Sequence, residues 1–148
     1  MGAKIIAGIV GGIAGGIVFG AMMHAMGMLG MVAGLVDAEG AGAGWAVHLV
    51  ISVAIGIGYA LTLGALRSGV GAHAGLGLVY GAIWWVLGPL LLMPLMMGMG
   101  PFPSIGEDQI MSLVGHLAYG LVLGLVFAGL QGRVPVGTSQ DSSVLSDR

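Results

Sequence analysis

"GGIAGGIVFGAMMHAMG", residues 11 to 27, lies within an apolar stretch in which glycine recurs at every fourth residue and the series then reaches a histidine. A spacing of four places side chains on one face of a helix. Small residues on such a face let a second backbone approach closely, which is typical of helices that associate in a membrane. The series therefore predicts an interhelical contact, formed by Gly8, Gly12, Gly16 and Gly20 and followed by His24.

The overall composition excludes an ordinary soluble domain. The chain of 148 residues is 57% hydrophobic and 7% charged, whereas about a quarter of the residues in soluble domains are charged. Four apolar stretches reach the roughly 20 residues that a membrane helix needs. We therefore predict an all-α fold, an integral membrane four-helix bundle at residues 1–130, with spans at about 5–35, 45–66, 74–97 and 109–130. The polar residues 131–148 are predicted to be a flexible cytoplasmic tail.

The few charged residues indicate an orientation in the cytoplasmic membrane. Basic residues favour the cytoplasmic side, and a four-span chain places its termini and its middle connection on one side. That side carries every basic residue: Lys4, Arg67, Arg133 and Arg148. The other two connections carry only acids: Asp37, Glu39, Glu107 and Asp108. Both termini are therefore predicted to be cytoplasmic.

An internal repeat relates the two halves of the chain. Residues 16–27, "GIVFGAMMHAMG", align with residues 77–88, "GLVYGAIWWVLG", and residues 48–60 align with residues 116–128, where both segments begin with His-Leu. Each segment and its copy run in the same direction, so the pattern predicts two parallel two-helix hairpins related by an axis along the membrane normal.

Small residues follow the same spacing in the other three spans, and they lie toward the predicted cytoplasmic side. Close contacts on that side and larger residues on the other predict helices that separate toward the outer face, leaving a cavity there. Pro89 and Pro94 also indicate irregular structure near the outer face, because each removes a backbone hydrogen bond and bends the outer half of the third span. The further glycines that we assign to helix packing are Gly56, Gly77, Gly81, Gly120 and Gly124.

His24, His48 and His116 are predicted to lie at similar depth near the outer face. Ionisable residues within membrane helices are uncommon and often functional. Three imidazoles would suit zinc or copper, and Cu(I) could take a further ligand from Met22, Met23, Met26 or Met28. Methionines cluster in "AMMHAMGMLGM", residues 21–31, and in "LLLMPLMMGMG", residues 90–100, both near the predicted outer face. Alternatively, His48 and His116 would be the axial ligands of a haem b held within the bundle.

Two other interpretations remain open for these histidines. They could line a pocket for a small ligand or a transmembrane partner, together with Met23 and the aromatic residues Trp45, Trp84, Trp85 and Tyr119. They could instead be structural, each bonding a backbone carbonyl and holding helices in register. His73, by contrast, is predicted to be cytoplasmic and solvated.

Several classes of function find no motif in the sequence. Cysteine is absent, so thiolate ligands and disulfides are excluded. The glycines lie within apolar helices rather than between a strand and a helix, which excludes a nucleotide-binding loop. The sequence has no arrangement of nucleophile and base, and its charge does not favour nucleic acid. We therefore expect a protein that is not an enzyme.

The segments "IWWVLGPLLLMPLMMG" and "HLVISVAIGIGYA", with the copy of the latter, resemble a group of small, uncharacterised bacterial four-span membrane proteins. The resemblance covers residues 5–130 and implies topology rather than activity. Two functions remain open at this point. One is a binding protein for a metal, haem or small ligand, and the other is an accessory or scaffold subunit that joins a homo-oligomer or other membrane subunits through its glycine faces.

Overall fold

The computed structural model describes residues 1–66 and 69–131, which form helices and their connections. Arg67, Arg133, Arg148 and the predicted tail beyond Gln131 lie outside the described residues. The helices are α1 (Gly2–Ala25), α2 (Leu29–Ala33), α3 (Gly40–Thr62), α4 (Val70–Leu87), α5 (Met93–Met96) and α6 (Glu107–Gln131). Four segments are long and apolar enough to cross a membrane: Gly2–Ala25, Gly40–Ala65, Val70–Met96 and Glu107–Gln131. The prediction of an all-helical chain with four long apolar helices is confirmed.

Helix α1 lies between two neighbours, because it packs against α3 and against α6. Helix α6 in turn packs against α4, and the short α2 packs against α3. We call the end that holds the α1–α3 and α4–α6 connections the connection end. The opposite end, which holds Met1 and Gln131, is the terminal end.

Backbones touch along α1–α3 and α4–α6, and glycine makes both contacts. A Cβ added to Gly12 would lie 2.5 Å from the Ser52 carbonyl oxygen, and one added to Gly77 would overlap the Gly120 carbonyl. Distances this short leave no room for a methyl group, so these helices meet at backbone separation. The other packing glycines lie at the same two contacts. At α1–α3 these are Gly8 against Gly56, Gly16 against Ser52 and Gly20 against the Trp45 ring, and at α4–α6 they are Gly81 against His116 and Gly124 against His73.

Helix α1 ends at Ala25, well before the predicted boundary at residue 35, because Gly27 has a φ of +70°. The Met28 N–H bonds the Met23 carbonyl at 2.9 Å, and the Gly27 N–H bonds the His24 carbonyl at 3.1 Å. This pair of bonds is a Schellman motif, which ends a helix when the residue after the cap is left-handed. The chain then turns back, and α2 packs on α3 instead of extending α1.

The third long segment is broken where the two prolines predict a bend. A π-helical turn, Gly88–Leu92, joins α4 to α5. Pro94 has no N–H for the Leu90 carbonyl, and the Phe102 N–H reaches that carbonyl at 2.7 Å. The freed carbonyl therefore has the protein partner that burial requires. A second Schellman motif, around Gly98 with a φ of +71°, ends α5.

Candidate functional site

A cavity of about 300 Å³ lies at the connection end, between the α1–α3 pair and the α4–α6 pair. Its walls come from the end of α1, from α2, from α3, from the π-helical turn with α5, and from the start of α6. Most of the lining is apolar, and five of the chain's 11 methionines contribute to it, namely Met23, Met28, Met31, Met93 and Met96. A small number of polar groups also reach the cavity, namely His48, His116, Ser112, Gln109 and Asp108. This combination of an apolar lining with a few polar groups is typical of ligand pockets.

His48 forms a bond between two helices. Its Nε2 lies 3.0 Å from the Gly16 carbonyl oxygen on α1, and the side chain is 7% exposed. A carbonyl only accepts, so Nε2 carries the proton and donates it. One ring nitrogen of His48 is thus committed to holding α3 against α1, and Nδ1 remains as an acceptor in the neutral ring.

His116 forms its bond within its own helix. Its Nδ1 lies 2.8 Å from the Ser112 carbonyl oxygen one turn earlier on α6, so Nδ1–H is the donor. The bond joins no second helix. It fixes the tautomer and leaves Nε2 as an acceptor in the neutral ring. Metal-binding histidines commonly have this arrangement, with one nitrogen held by a carbonyl and the other available.

Phe19 contacts both of these histidines at the cavity. Its ring centroid lies 5.3 Å from that of His48 and 4.7 Å from that of His116, edge-on in each case. A haem between the two imidazoles would need the space that this ring fills, and His48 already uses Nε2 for Gly16. The residues present therefore do not fit a bis-histidine haem.

His24 does not share the depth of the other two histidines. His48 bonds the carbonyl of Gly16, and His24 lies eight residues further along α1, which is about 12 Å of helix. The His24 side chain is exposed, and its ring centroid is 6.5 Å from that of Trp45. Within residues 1–66 and 69–131, no group of three or more His, Asp or Glu side chains could hold a metal ion. The predicted zinc or copper site made of three histidines is therefore not assembled.

Of the predicted pocket residues, the described cavity wall includes Met23 but none of the four aromatic residues. Trp85 donates from Nε1 to the Gln109 carbonyl at 3.0 Å, and Tyr119 donates to the Ser52 carbonyl at 2.6 Å. Trp84 packs against Tyr80, and Trp45 packs against His48. Trp85 and Tyr119 therefore join helices to one another, and the contact of Trp84 lies within α4.

His73 is buried, at 3% exposure, rather than solvated as predicted. The Tyr59 hydroxyl lies 2.9 Å from His73 Nδ1 and 3.2 Å from the His73 carbonyl oxygen. Both contacts are satisfied when Nδ1–H donates to the hydroxyl and the hydroxyl donates to the carbonyl. Tyr59 and Phe127 cover the ring, with ring centroids 6.1 and 5.2 Å from that of His73. His73 thus joins α3 to α4 near the terminal end, and the expectation of a solvated side chain is wrong.

Replacing Tyr59 with Phe should lower the free energy of unfolding by about 1–2 kcal/mol, because the change leaves buried groups of His73 without a partner. Unfolding of purified protein in mixed micelles, with increasing sodium dodecyl sulfate, measures the difference. The matched control is Thr62→Val, which removes an exposed hydroxyl that bonds only its own helix at Gly58. Equal stability of the two variants would contradict the bridging role of Tyr59.

Comparisons with known proteins give no relative, because the chain matches no protein-family model, no curated protein and no solved structure. The resemblance described above thus rests on the quoted segments alone. Function has to be argued from the geometry of this chain.

The sequence analysis missed Phe19 and Ser112, which line the cavity. It placed the two methionine clusters near the outer face but did not assign Met31, Met93 or Met96 to the site. One signal was available for Ser112, which lies one helical turn before His116 and so on the same face of α6. The position of the methionines of residues 93–96 on the same cavity as Met23 could not be predicted, because it depends on how α4 and α6 pack against α1.

Proposed function

We propose that this chain is an integral membrane protein with both termini in the cytoplasm. The support is the large apolar surface that the helices leave exposed over their whole length. Examples from the four long segments are Ile6 at 61% exposure, Val50 at 70%, Val79 at 59% and Ile110 at 53%. Soluble monomers rarely expose continuous apolar surface of this extent, whereas helices that satisfy their own backbone bonds can present it to lipid.

The orientation can be tested with single cysteines, because the chain has none of its own. An impermeant thiol reagent added to intact cells should label Ser104→Cys, at the exposed connection end, and should not label Leu66→Cys, at the exposed terminal end. After permeabilisation both variants should react. The reverse pattern in intact cells would overturn the orientation, and labelling of both would overturn membrane spanning.

We further infer that the two hairpins arose by duplication. His48 and His116 occupy matching positions of the aligned segments, and both line the cavity. A cavity between the hairpins is then the space between two related halves.

The function that we propose is non-catalytic binding of a small ligand in the cavity at the connection end. His116 carries this proposal. Its described hydrogen bonds lie within its own helix, so none of them joins α6 to a second helix, yet its ring reaches the cavity with one nitrogen as an acceptor. A polar group in an apolar cavity is costly unless something bonds it, and a ligand would supply the bond.

The scaffold interpretation applies better to the other two buried histidines. His48 bonds Gly16 across α1 and α3, and His73 bonds Tyr59 across α3 and α4. These are the helix-joining contacts expected of structural histidines. A scaffold function therefore accounts for the hydrogen bonds of His48 and His73 but not for the acceptor nitrogen that His116 brings to the cavity.

Filling the cavity tests the binding function. Gly88 lines the cavity, and beyond its own helical turn a Cβ at this position would meet nothing within 4 Å, so Gly88→Leu is the substitution chosen to add volume there. The control is Gly75→Leu, at an equally open position of α4 away from the cavity. Each protein is purified in mild detergent after growth with copper, zinc and haem, and bound species are measured by native mass spectrometry and elemental analysis.

We expect a stoichiometric bound species in the wild type and in Gly75→Leu, and its loss in Gly88→Leu. A wild-type protein with no bound species would overturn the binding function. Equal occupancy of Gly88→Leu and the wild type would place the ligand elsewhere and would also overturn it.

A further inference from the structure

The cavity brings together two methionine-rich segments that are about 70 residues apart in the sequence. Residues 22–31 contribute three of its methionines from α1 and α2, and residues 93–96 contribute two from α5. Methionine often fills gaps in apolar packing. Here, however, five of these side chains surround a space of about 300 Å³ that they leave open. Packing alone therefore does not explain why they converge.

The methionines differ in depth. Met23 is 8% exposed, and Met28 and Met93 are partly buried against the same core cluster. Met31 and Met96 are more exposed, at 46% and 66%. Met23, Met28 and Met93 thus form a deep set of three thioether groups, and Met31 and Met96 lie nearer the surface.

The same cavity contains an imidazole whose hydrogen bonds join no second helix and whose tautomer suits a metal. His116 Nδ1–H donates to the Ser112 carbonyl, so Nε2 remains as the atom that can bind a metal. Thioether sulfur is a soft ligand that favours Cu(I), and imidazole also binds copper. Because each methionine has three rotatable bonds, three deep sulfurs and one imidazole on a common cavity can close around a single ion.

We propose that the cavity binds a soft monovalent metal ion, Cu(I) or its analogue Ag(I), through Met23, Met28, Met93 and His116. This proposal rests on the proposed binding function and names the chemistry of its ligand. The surroundings favour a cation, because the connections at this end carry Asp37, Glu39, Glu107 and Asp108 and no basic residue. Asp108 itself lies on the cavity wall, about 12 Å of helix before His116.

The test uses Met→Leu substitutions, which keep size and apolar character but remove the sulfur, at a cost in stability that is usually small. The site variant is Met23→Leu/Met93→Leu. The control is Met26→Leu/Met97→Leu, which changes one methionine within the first segment and one directly after the second, both outside the described cavity wall. Met26 and Met97 are also matched, since each caps its helix directly before a glycine of positive φ.

Affinity for Cu(I) is measured without oxygen by competition with a chromogenic chelator, and Ag(I) is titrated in parallel. We expect the wild type and the control to bind one ion. The dissociation constant of the site variant should rise roughly 10- to 100-fold or more. Metal sites already lose about 10- to 100-fold in affinity when a residue that only supports a ligand is mutated. Zn²⁺, which prefers nitrogen, oxygen and thiolate ligands, should bind far more weakly.

A second readout locates the ion. With ¹³C-methyl methionine, Ag(I) should shift the resonances of Met23, Met28 and Met93 and leave those of Met26 and Met97 in place. Wild-type affinity in the site variant, or no uptake of either ion by the wild type, would overturn the metal proposal. If the purified wild type then still carries an organic species that Gly88→Leu loses, the binding function stands and only its ligand class is wrong.

Discussion

Gly77→Ala is expected to lower the free energy of unfolding by about 2 kcal/mol or more, in the range of overpacking substitutions. Helix propensity alone would predict a more stable variant, because alanine is the better helix former by about 1 kcal/mol. The reason is the approach of α4 to α6, where a Cβ at Gly77 would overlap the Gly120 carbonyl oxygen and one at Gly120 would overlap the Gly77 carbonyl oxygen.

The obstacle at Gly77 consists of backbone atoms, which cannot turn away as a flexible side chain can. The two helices would have to separate, and the other contacts of that face would loosen with them, including Gly81 against His116. Because lipid offers no hydrophobic gain to compensate, close packing is the main force that holds such helices together.

The control for Gly77 is the same substitution two residues earlier. Beyond its own helical turn, a Cβ at Gly75 would meet nothing within 4 Å, so Gly75→Ala should leave stability unchanged or raise it slightly. Unfolding in mixed micelles measures both variants. If Gly77→Ala were as stable as Gly75→Ala, the close approach of α4 and α6 would be wrong.

Phe19→Ala should destabilise the protein by about 3 kcal/mol or more, as large-to-small core substitutions of Phe do. The ring is 8% exposed and packs edge-on against His48 and His116. It also covers Gly115, where a Cβ would collide with the ring. Removing it takes away a contact among α1, α3 and α6, and the space that it leaves joins the cavity that it lines.

Val18→Ala is the control for Phe19, since Val18 is the preceding residue and is 41% exposed. Its effect should be below about 1 kcal/mol, as for other substitutions outside a core. Phe19→Leu should lie between the two because it refills part of the volume. Phe19→Ala with the stability of Val18→Ala would show that this ring does not join the helices.

The main features of the helices could be predicted from the sequence. Hydrophobic length located all four long segments, and the two prolines located the break that the structure shows as a π-helical turn. The end of α1 was misplaced, although the signal was present. Apolar residues both precede and follow Gly27. Hydrophobic length therefore cannot distinguish a helix that continues through Gly27 from one that ends there at a left-handed residue and turns back.

The candidate site could be predicted only in part. Periodicity placed His48 and His116 correctly at the cavity end, because each lies on the packing face of its own helix. Periodicity placed His24 at the depth of His48 because His24 continues the glycine series. The hydrogen bond from His48 to Gly16 instead shows that His48 lies about two helical turns away from the level of His24 along α1. His73 was misjudged because its burial depends on Tyr59, a residue of another helix.

The sequence by itself determined that this chain forms four long apolar helices with small residues along their faces, since these features depend only on composition and local spacing. Only the tertiary structure decided which side chains share a space. It brought the methionines of residues 22–31 and 93–96 to one cavity with His116, and it turned His24 away. Such convergence depends on the register and rotation of helices from different hairpins, and backbone contacts at glycine set both.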